Sequence, residues 1–174
     1  MSKDKKSNNF IPFNKPYLSG NEIKYISEGI FVGDISGNGK FTKLCHSFFE
    51  NKYNFKKCLL TNSCTSALEM AAILLDIKPG DEVIMPSYTF VSTPNAFILR
   101  GAKIIFCDSK NENPCINEDL IEGLISKKTK AIVPVHYAGF SCNMEKIISI
   151  AKKYDLFVVE DAAQAIDNYY NIYD

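Results

Sequence analysis

The chain has 174 residues, 46% hydrophobic and 23% charged, an ordinary globular balance in a length that can bury a core of its own. Lysine plus arginine (20) equals aspartate plus glutamate (20), so nothing in the charge points to nucleic acid or an anionic membrane as partner. No apolar run approaches the ~18 residues of a membrane span, and the six cysteines form no C-x-x-C pair and meet only two histidines, which argues against a metal site and for reduced thiols in a cytoplasmic protein.

In chain order, Met1–Asn9 is polar and lysine-rich with no apolar stretch behind it, so residues 1–10 read as a disordered leader rather than a signal peptide. Residues 11–57 read as an N-terminal helical arm. Ser19–Ile30 and Lys40–Lys52 look helical, are joined by the glycine-rich Gly33–Gly39, and suit packing on a sheet or on a second subunit.

From residue 58 onward the pattern alternates between strand and helix. Strands are expected at Cys58–Thr61, Glu82–Met85, Lys103–Cys107, Ala131–Val135 and Leu156–Glu160. Helices are expected at Ser63–Leu75, from Ser92-Thr93-Pro94 to Arg100 with Gly101 as the stop, at Glu118–Ser126 and at Met144–Tyr154. Alternation of this kind predicts an α/β fold, a mainly parallel sheet flanked by helices. Ligands of such sheets bind beyond the carboxyl ends of the strands. That rule singles out Asn62–Ser66, Pro86–Phe90, His136–Gly139 and Asp161–Gln164.

Three of these segments suit a phosphorylated, aromatic cofactor. In Asn62-Ser63-Cys64-Thr65-Ser66, small residues precede a helix whose first N–H groups point outward, an arrangement that fits a phosphate or plain N-capping by Ser63. Pro86-Ser87-Tyr88-Thr89-Phe90 puts two aromatics after a strand, fit to stack on a flat ring or to fill a core. Glu160-Asp161-Ala162-Ala163-Gln164 delivers acids and an amide to a strand end. A buried acid there needs a positive partner, either a protonated pyridine nitrogen or a salt bridge. His136 suits either a substrate contact or a structural place at a strand end. Gly39-Lys40 is no P-loop, because Asp34 and Phe41 stand where the pattern needs glycine and a hydroxyl. No G-x-G-x-x-G follows a strand, which disfavours a nicotinamide-dependent Rossmann enzyme.

Four segments, T-N-S-C-T-S-A-L-E-M (Thr61–Met70), K-P-G-D-E-V-I-M-P-S-Y-T-F-V-S-T-P-N-A (Lys78–Ala96), A-I-V-P-V-H-Y-A-G (Ala131–Gly139) and V-V-E-D-A-A-Q-A (Val158–Ala165), together resemble the DegT/DnrJ/EryC1/StrS family of nucleotide-sugar aminotransferases. The resemblance runs from about Ile11 to Asp167 and is nearest to the dTDP-4-amino-4,6-dideoxygalactose transaminase branch, which serves enterobacterial common antigen and O-antigen synthesis. It implies the N-terminal part of a fold-type-I large domain that uses pyridoxal 5'-phosphate (PLP), with a nucleotide sugar as substrate, glutamate as amino donor and a homodimer as the assembly. It implies that Ser63, Cys64, Thr65 and Ser66 hold the phosphate, with Thr65 and Ser66 as the central pair. It makes Phe90 the ring-stacking aromatic, Asp161 the partner of the pyridine nitrogen and Gln164 the contact to the phenolic oxygen.

In this family the Schiff-base lysine follows the acid in a motif like S-x-H-x-T-K. Here 13 residues follow Asp161 without it, and Lys152 and Lys153 precede the acid on a helix. Residues 58–174 are therefore expected to be a partial large domain, truncated before the lysine and the small domain, and inactive by themselves. Two further readings stay open: a PLP-dependent sugar dehydratase of the same fold, in which histidine replaces the lysine, and a non-enzymatic remnant. Ser63–Ser66, Phe90, Asp161 and Gln164 are expected to converge at one end of the sheet, with Asp161 within ~15 Å of the helix start so that one cofactor reaches both.

Overall fold

A computed structural model describes residues 12, 14–33 and 35–169, in two compact units that meet between Leu60 and Thr61. The leader expected at residues 1–10 and the last five residues lie outside the described part.

The first unit is a helical pair. Helix α1 spans Glu22–Val32. Its start is tied by Glu22, whose carboxylate accepts from the Ser19 backbone N–H (2.6 Å), the Ser19 hydroxyl (2.9 Å) and the Gly20 N–H (2.9 Å). Gly33, in the left-handed region at φ 84°, ends it by donating to Ile30 O. Helix α2 spans Lys40–Tyr53 and stops at left-handed Asn54. The two helices meet edge to face through Tyr25 and Phe41 at 5.5 Å between ring centroids, beside Gly29. An ion pair joins Glu28 to Lys40.

The strand expected at Cys58–Thr61 does not form. Its backbone donors turn to side chains of α2 instead of a neighbouring strand. Cys58 N–H donates to Glu50 Oε1 (2.9 Å) and Leu60 N–H to His46 Nε2 (3.1 Å). An apolar run of four residues carries too little pattern to distinguish these outcomes.

The second unit is a parallel α/β sandwich. Its order is α3 (Cys64–Leu74), β1 (Glu82–Pro86), α4 (Ser92–Ile98), β2 (Lys103–Cys107), α5 (Glu118–Leu124), β3 (Thr129–Ile132), a 3-10 turn at Tyr137–Gly139, α6 (Met144–Tyr154) and β4 (Phe157–Val158). The sheet order is β2-β1-β3-β4, every pairing parallel. The two later strands are shorter than expected. The pairing expected across Ala131–Val135 and Leu156–Glu160 resumes only as a bridge between Val135 and Asp161.

Alternation along the central strands sorts the core into two layers. Val83, Met85, Ala131 and Val133 face one side and pack with Leu68 and Ala72 of α3 and Ala96 and Phe97 of α4. Ile84 and Ile132 face the other, against Ile121 of α5 and Met144, Ile147 and Ile150 of α6. All five residues of β1 are buried, as a strand covered on both faces requires. Burying side chains such as Phe97 or Ile147 contributes about 1.5–3 kcal/mol each. On α6 the buried residues recur at helical spacing while Lys152 and Lys153 fall in the last turn, where they complement the helix dipole.

This strand order creates one switch point. The chain leaves β1 for β2 on one side and returns to place β3 on the other. The loops after β1 and β3 therefore diverge over a crevice at the carboxyl ends. Tyr88 and Tyr137, one from each loop, meet there at 4.7 Å between ring centroids.

Candidate cofactor site

Helix α3 begins at this end of the sheet. Its N-cap Ser63 is extended, and its hydroxyl accepts from Ser66 N–H at 3.2 Å. The cap takes one donor of the first turn, and Ala67 N–H takes the Ser63 carbonyl (3.2 Å). The amides of Cys64 and Thr65 have no acceptor within the helix and point outward. Capping and anion binding are thus compatible in one loop. The Thr65 hydroxyl donates to the Ser92 hydroxyl at 2.9 Å, which joins α3 to the start of α4.

Asp161 sits where β4 ends and is only 6% exposed. The bridge to Val135 holds its backbone, with Asp161 N–H on Pro134 O (2.9 Å) and His136 N–H on Asp161 O (3.0 Å). Its carboxylate accepts from the Thr93 hydroxyl at Oδ2 (2.7 Å), and at Oδ1 from Ala163 N–H (3.2 Å) and the Cys64 thiol (3.8 Å). The Cys64 contact puts Asp161 beside the first turn of α3, well inside the reach of one cofactor. Desolvation, then the Asp161 charge and hydrogen bond, hold the Cys64 thiol above its ordinary value. Every partner of Asp161 among the described residues is neutral. A buried carboxylate without a cation is costly, and a protonated pyridine nitrogen fits the remaining need.

Gln164 follows on the same loop. Its Oε1 accepts from Ala138 N–H at 2.7 Å, so the amide is oriented by the loop after β3 and its Nε2 is left as the outward donor. Phe90 ends the loop after β1; the residue is 70% exposed, and its carbonyl accepts from Thr93 N–H (3.0 Å). Buried His136 has both ring nitrogens engaged: Nδ1 accepts from Cys142 N–H (3.2 Å) and Nε2 meets Glu160 Oε2 (2.9 Å). Both contacts tie His136 to the loop and strand around it. Lys152 and Lys153 end α6 beside the start of β4, the opposite end of the sheet, and Lys153 pairs with Glu122 at 3.1 Å.

Sequence reasoning named Thr89 only within the Pro86–Phe90 segment, and it gave no role beside Asp161 or α3 to Ser92 and Thr93, whose hydroxyls bond Thr65 and Asp161. Thr93 stood out only as part of a helix start. Its complete burial is a tertiary fact that no local pattern signals.

The class of protein is thus an α/β domain whose parallel sheet has a capped helix start, an exposed aromatic and a buried acid in the segments at its carboxyl end. The profile of the DegT/DnrJ/EryC1/StrS aminotransferase family matches residues 17–171, and the chain belongs to that family. It is 37% identical to the GDP-perosamine synthase of Escherichia coli over 161 residues, 92% of this chain and 44% of the relative. It is 36% identical to the UDP-4-amino-4-deoxy-L-arabinose–oxoglutarate aminotransferase of Shewanella sediminis over 160 residues, 92% of this chain and 41% of the relative. It superposes on the PLP form of a putative sugar aminotransferase from Streptococcus pneumoniae with TM-score 0.81 and 29% identity, covering 90% of this chain and 44% of the other. The chain thus spans about two fifths of the length of the relatives it matches.

Proposed function

We propose that these residues form the phosphate and ring-nitrogen side of a PLP site in a sugar aminotransferase that moves an amino group from glutamate to the keto carbon of a nucleotide-linked 4-keto-6-deoxysugar. The observation that carries the reading is Asp161, buried and, among the described residues, bonded only to neutral donors. When bound, PLP supplies an electron sink for the carbanion at the substrate carbon. The chain's own residues hold it in place. The Cys64 and Thr65 amides, with the Ser66 hydroxyl, take the phosphate, while the Ser63 hydroxyl caps the helix and the Thr65 hydroxyl holds Ser92. Phe90 stacks on the ring, Asp161 keeps the ring nitrogen protonated, and Gln164 Nε2 reaches the phenolic oxygen.

The dTDP sugar is the proposed substrate because the motifs resemble that branch, which places the reaction in cell-surface polysaccharide synthesis. The GDP and UDP sugars named for the relatives make the nucleotide the first variable to test. The working protein is proposed to be a cytoplasmic homodimer. The 174 residues by themselves are proposed to be inactive, because none of their lysines is placed at the site by a family motif.

The test supplies the full protein with PLP, glutamate and dTDP-, GDP- or UDP-linked 4-keto sugars, and follows 2-oxoglutarate and the amino sugar. Glutamate-dependent amination that falls at least a hundredfold in Asp161→Ala is expected, since a positioned electrostatic group is worth about that much. The reading is wrong if no sugar is aminated, or if Asp161→Ala turns over like the parent.

A further inference from the structure

Thr93 is 0% exposed, and a buried hydroxyl is costly unless it is bonded. A threonine in the first turn of a helix commonly satisfies itself locally. Thr93 instead donates to Asp161 Oδ2, at 2.7 Å across 68 positions of sequence. The distance is that of a charge-assisted O–H···O bond. The Thr93 oxygen also lies 2.8 Å from the Thr89 hydroxyl. A hydroxyl has one proton, and an ionised carboxylate only accepts. Thr93 therefore spends its proton on Asp161, and Thr89 must donate to Thr93. The order Thr89 to Thr93 to Asp161 is fixed.

A carboxylate turns easily about its last torsion, which has no sharp staggered wells. Here Oδ2 is held by Thr93, while Oδ1 takes Ala163 N–H and the Cys64 thiol. The chain of hydroxyls also spans a gap in the sheet. Thr89 and Thr93 follow β1 and Asp161 follows β4, with β3 between them. It ties the loop that carries Phe90 to the acid that faces the ring nitrogen.

We infer that Thr93, ordered by Thr89, is a positioning residue that fixes the Asp161 carboxylate toward the cofactor ring nitrogen and sets the register between that acid and the Phe90 loop. The inference rests on the cofactor site proposed above. One ligand separates the two: pyridoxamine 5'-phosphate, which binds through phosphate and ring without a covalent bond. Its dissociation constant is measured on the full protein and on the variants Thr93→Val, Thr93→Ser, Thr89→Val, Asp161→Ala and Thr93→Val with Asp161→Ala. The 15N resonance of the labelled ring nitrogen is recorded beside it.

Thr93→Val is expected to weaken binding about tenfold, the worth of one hydrogen bond to a charged group, and to move the 15N resonance toward the unprotonated position. Thr93→Ser stays within about threefold of the parent, and Thr89→Val, which leaves the Thr93 hydroxyl free to turn, weakens binding by about threefold. In the Asp161→Ala background Thr93→Val adds less than about twofold, because its effect runs through the acid. Equal loss in Thr93→Val and Thr93→Ser, or an undiminished Thr93→Val effect without Asp161, overturns the inference. Should Thr93→Val fail to fold, the Thr93→Ser and Thr89→Val constants and the 15N resonance decide. If Asp161→Ala leaves affinity unchanged, the cofactor reading itself fails. If Asp161→Ala weakens binding and Thr93→Val does not, only the inference does.

Discussion

His136 and the three inner cysteines show how burial assigns roles to reactive side chains. With Nδ1 accepting from Cys142 N–H, neutral His136 carries its proton on Nε2 and donates it to Glu160. Cys107, Cys115 and Cys142 are each 1% exposed in the α5–α6 layer. Burial pushes the Cys107 thiol from 9.0 up to about 11 and the Cys142 thiol from 9.0 up to about 12. These folded-state values are raised, so the stability they contribute is complete below about 9, where an unfolded thiol ionises. It is lost as pH rises toward about 12. The urea midpoint is expected to hold up to pH ~9 and to fall above it, with a smaller fall in Cys142→Ala. At pH ~8 a disulfide reagent should leave Cys107, Cys115 and Cys142 unmodified until denaturant is added.

Turns and caps fix where the elements end. Gly101 closes α4 at φ +88°, and a Cβ there would lie 2.8 Å from Pro79 Cγ and 2.9 Å from Pro79 Cα. The Pro79–Gly80 turn cannot retreat freely, since Gly80 N–H donates to Gly101 O (3.2 Å) and Lys103 N–H to Asp81 O (2.8 Å). Gly101→Ala therefore combines left-handed strain with a backbone clash. It is expected to cost about 1–3 kcal/mol in chemical unfolding. Ser63→Ala removes the acceptor for Ser66 N–H and is expected to cost about 0.5–2 kcal/mol. If the phosphate reading holds, it also weakens pyridoxamine 5'-phosphate binding, whereas Gly101→Ala, at the far end of α4, leaves that affinity alone.

Over the whole molecule, much apolar surface lies uncovered. On α1, Ile23, Ile26 and Ile30 sit at helical spacing with 75%, 58% and 63% exposure, and Phe31 is 95% exposed. In the second unit, edge strands β2 and β4 show Phe106 (53%) and Phe157 (48%). Surfaces of this kind mark faces that pack on other protein, and an open strand edge invites pairing. The 174 residues produced alone are expected to associate, scattering light as species heavier than the 19.5 kDa monomer. Ile26→Glu with Phe31→Glu should lower the apparent mass. A clean monomer from the unaltered chain would contradict this.

The sequence by itself determined the second unit's layering and polarity. Strands interleaved with helices of one to four turns admit little but a parallel sheet, and glycine, proline and cap residues mark most boundaries. The same rule placed Pro86–Phe90 and Asp161–Gln164 beyond strand ends, since loop position follows from element order, whereas Asn62–Ser66 has no strand before it and reaches the site as the start of α3, through the contact of Cys64 with Asp161. What only the tertiary structure decided is who bonds to whom. Cys58–Thr61 is apolar enough for a strand, yet the N–H groups of Cys58 and Leu60 go to α2 side chains. The partners of His136, Cys142 N–H and Glu160, lie 6 and 24 positions away and are not written in its neighbourhood. Thr93 resembles any helix-start threonine until its hydroxyl is found on Asp161. Hydrophobic periodicity is written residue by residue along the chain, whereas the partner of a buried polar atom lies tens of positions away and is chosen by packing.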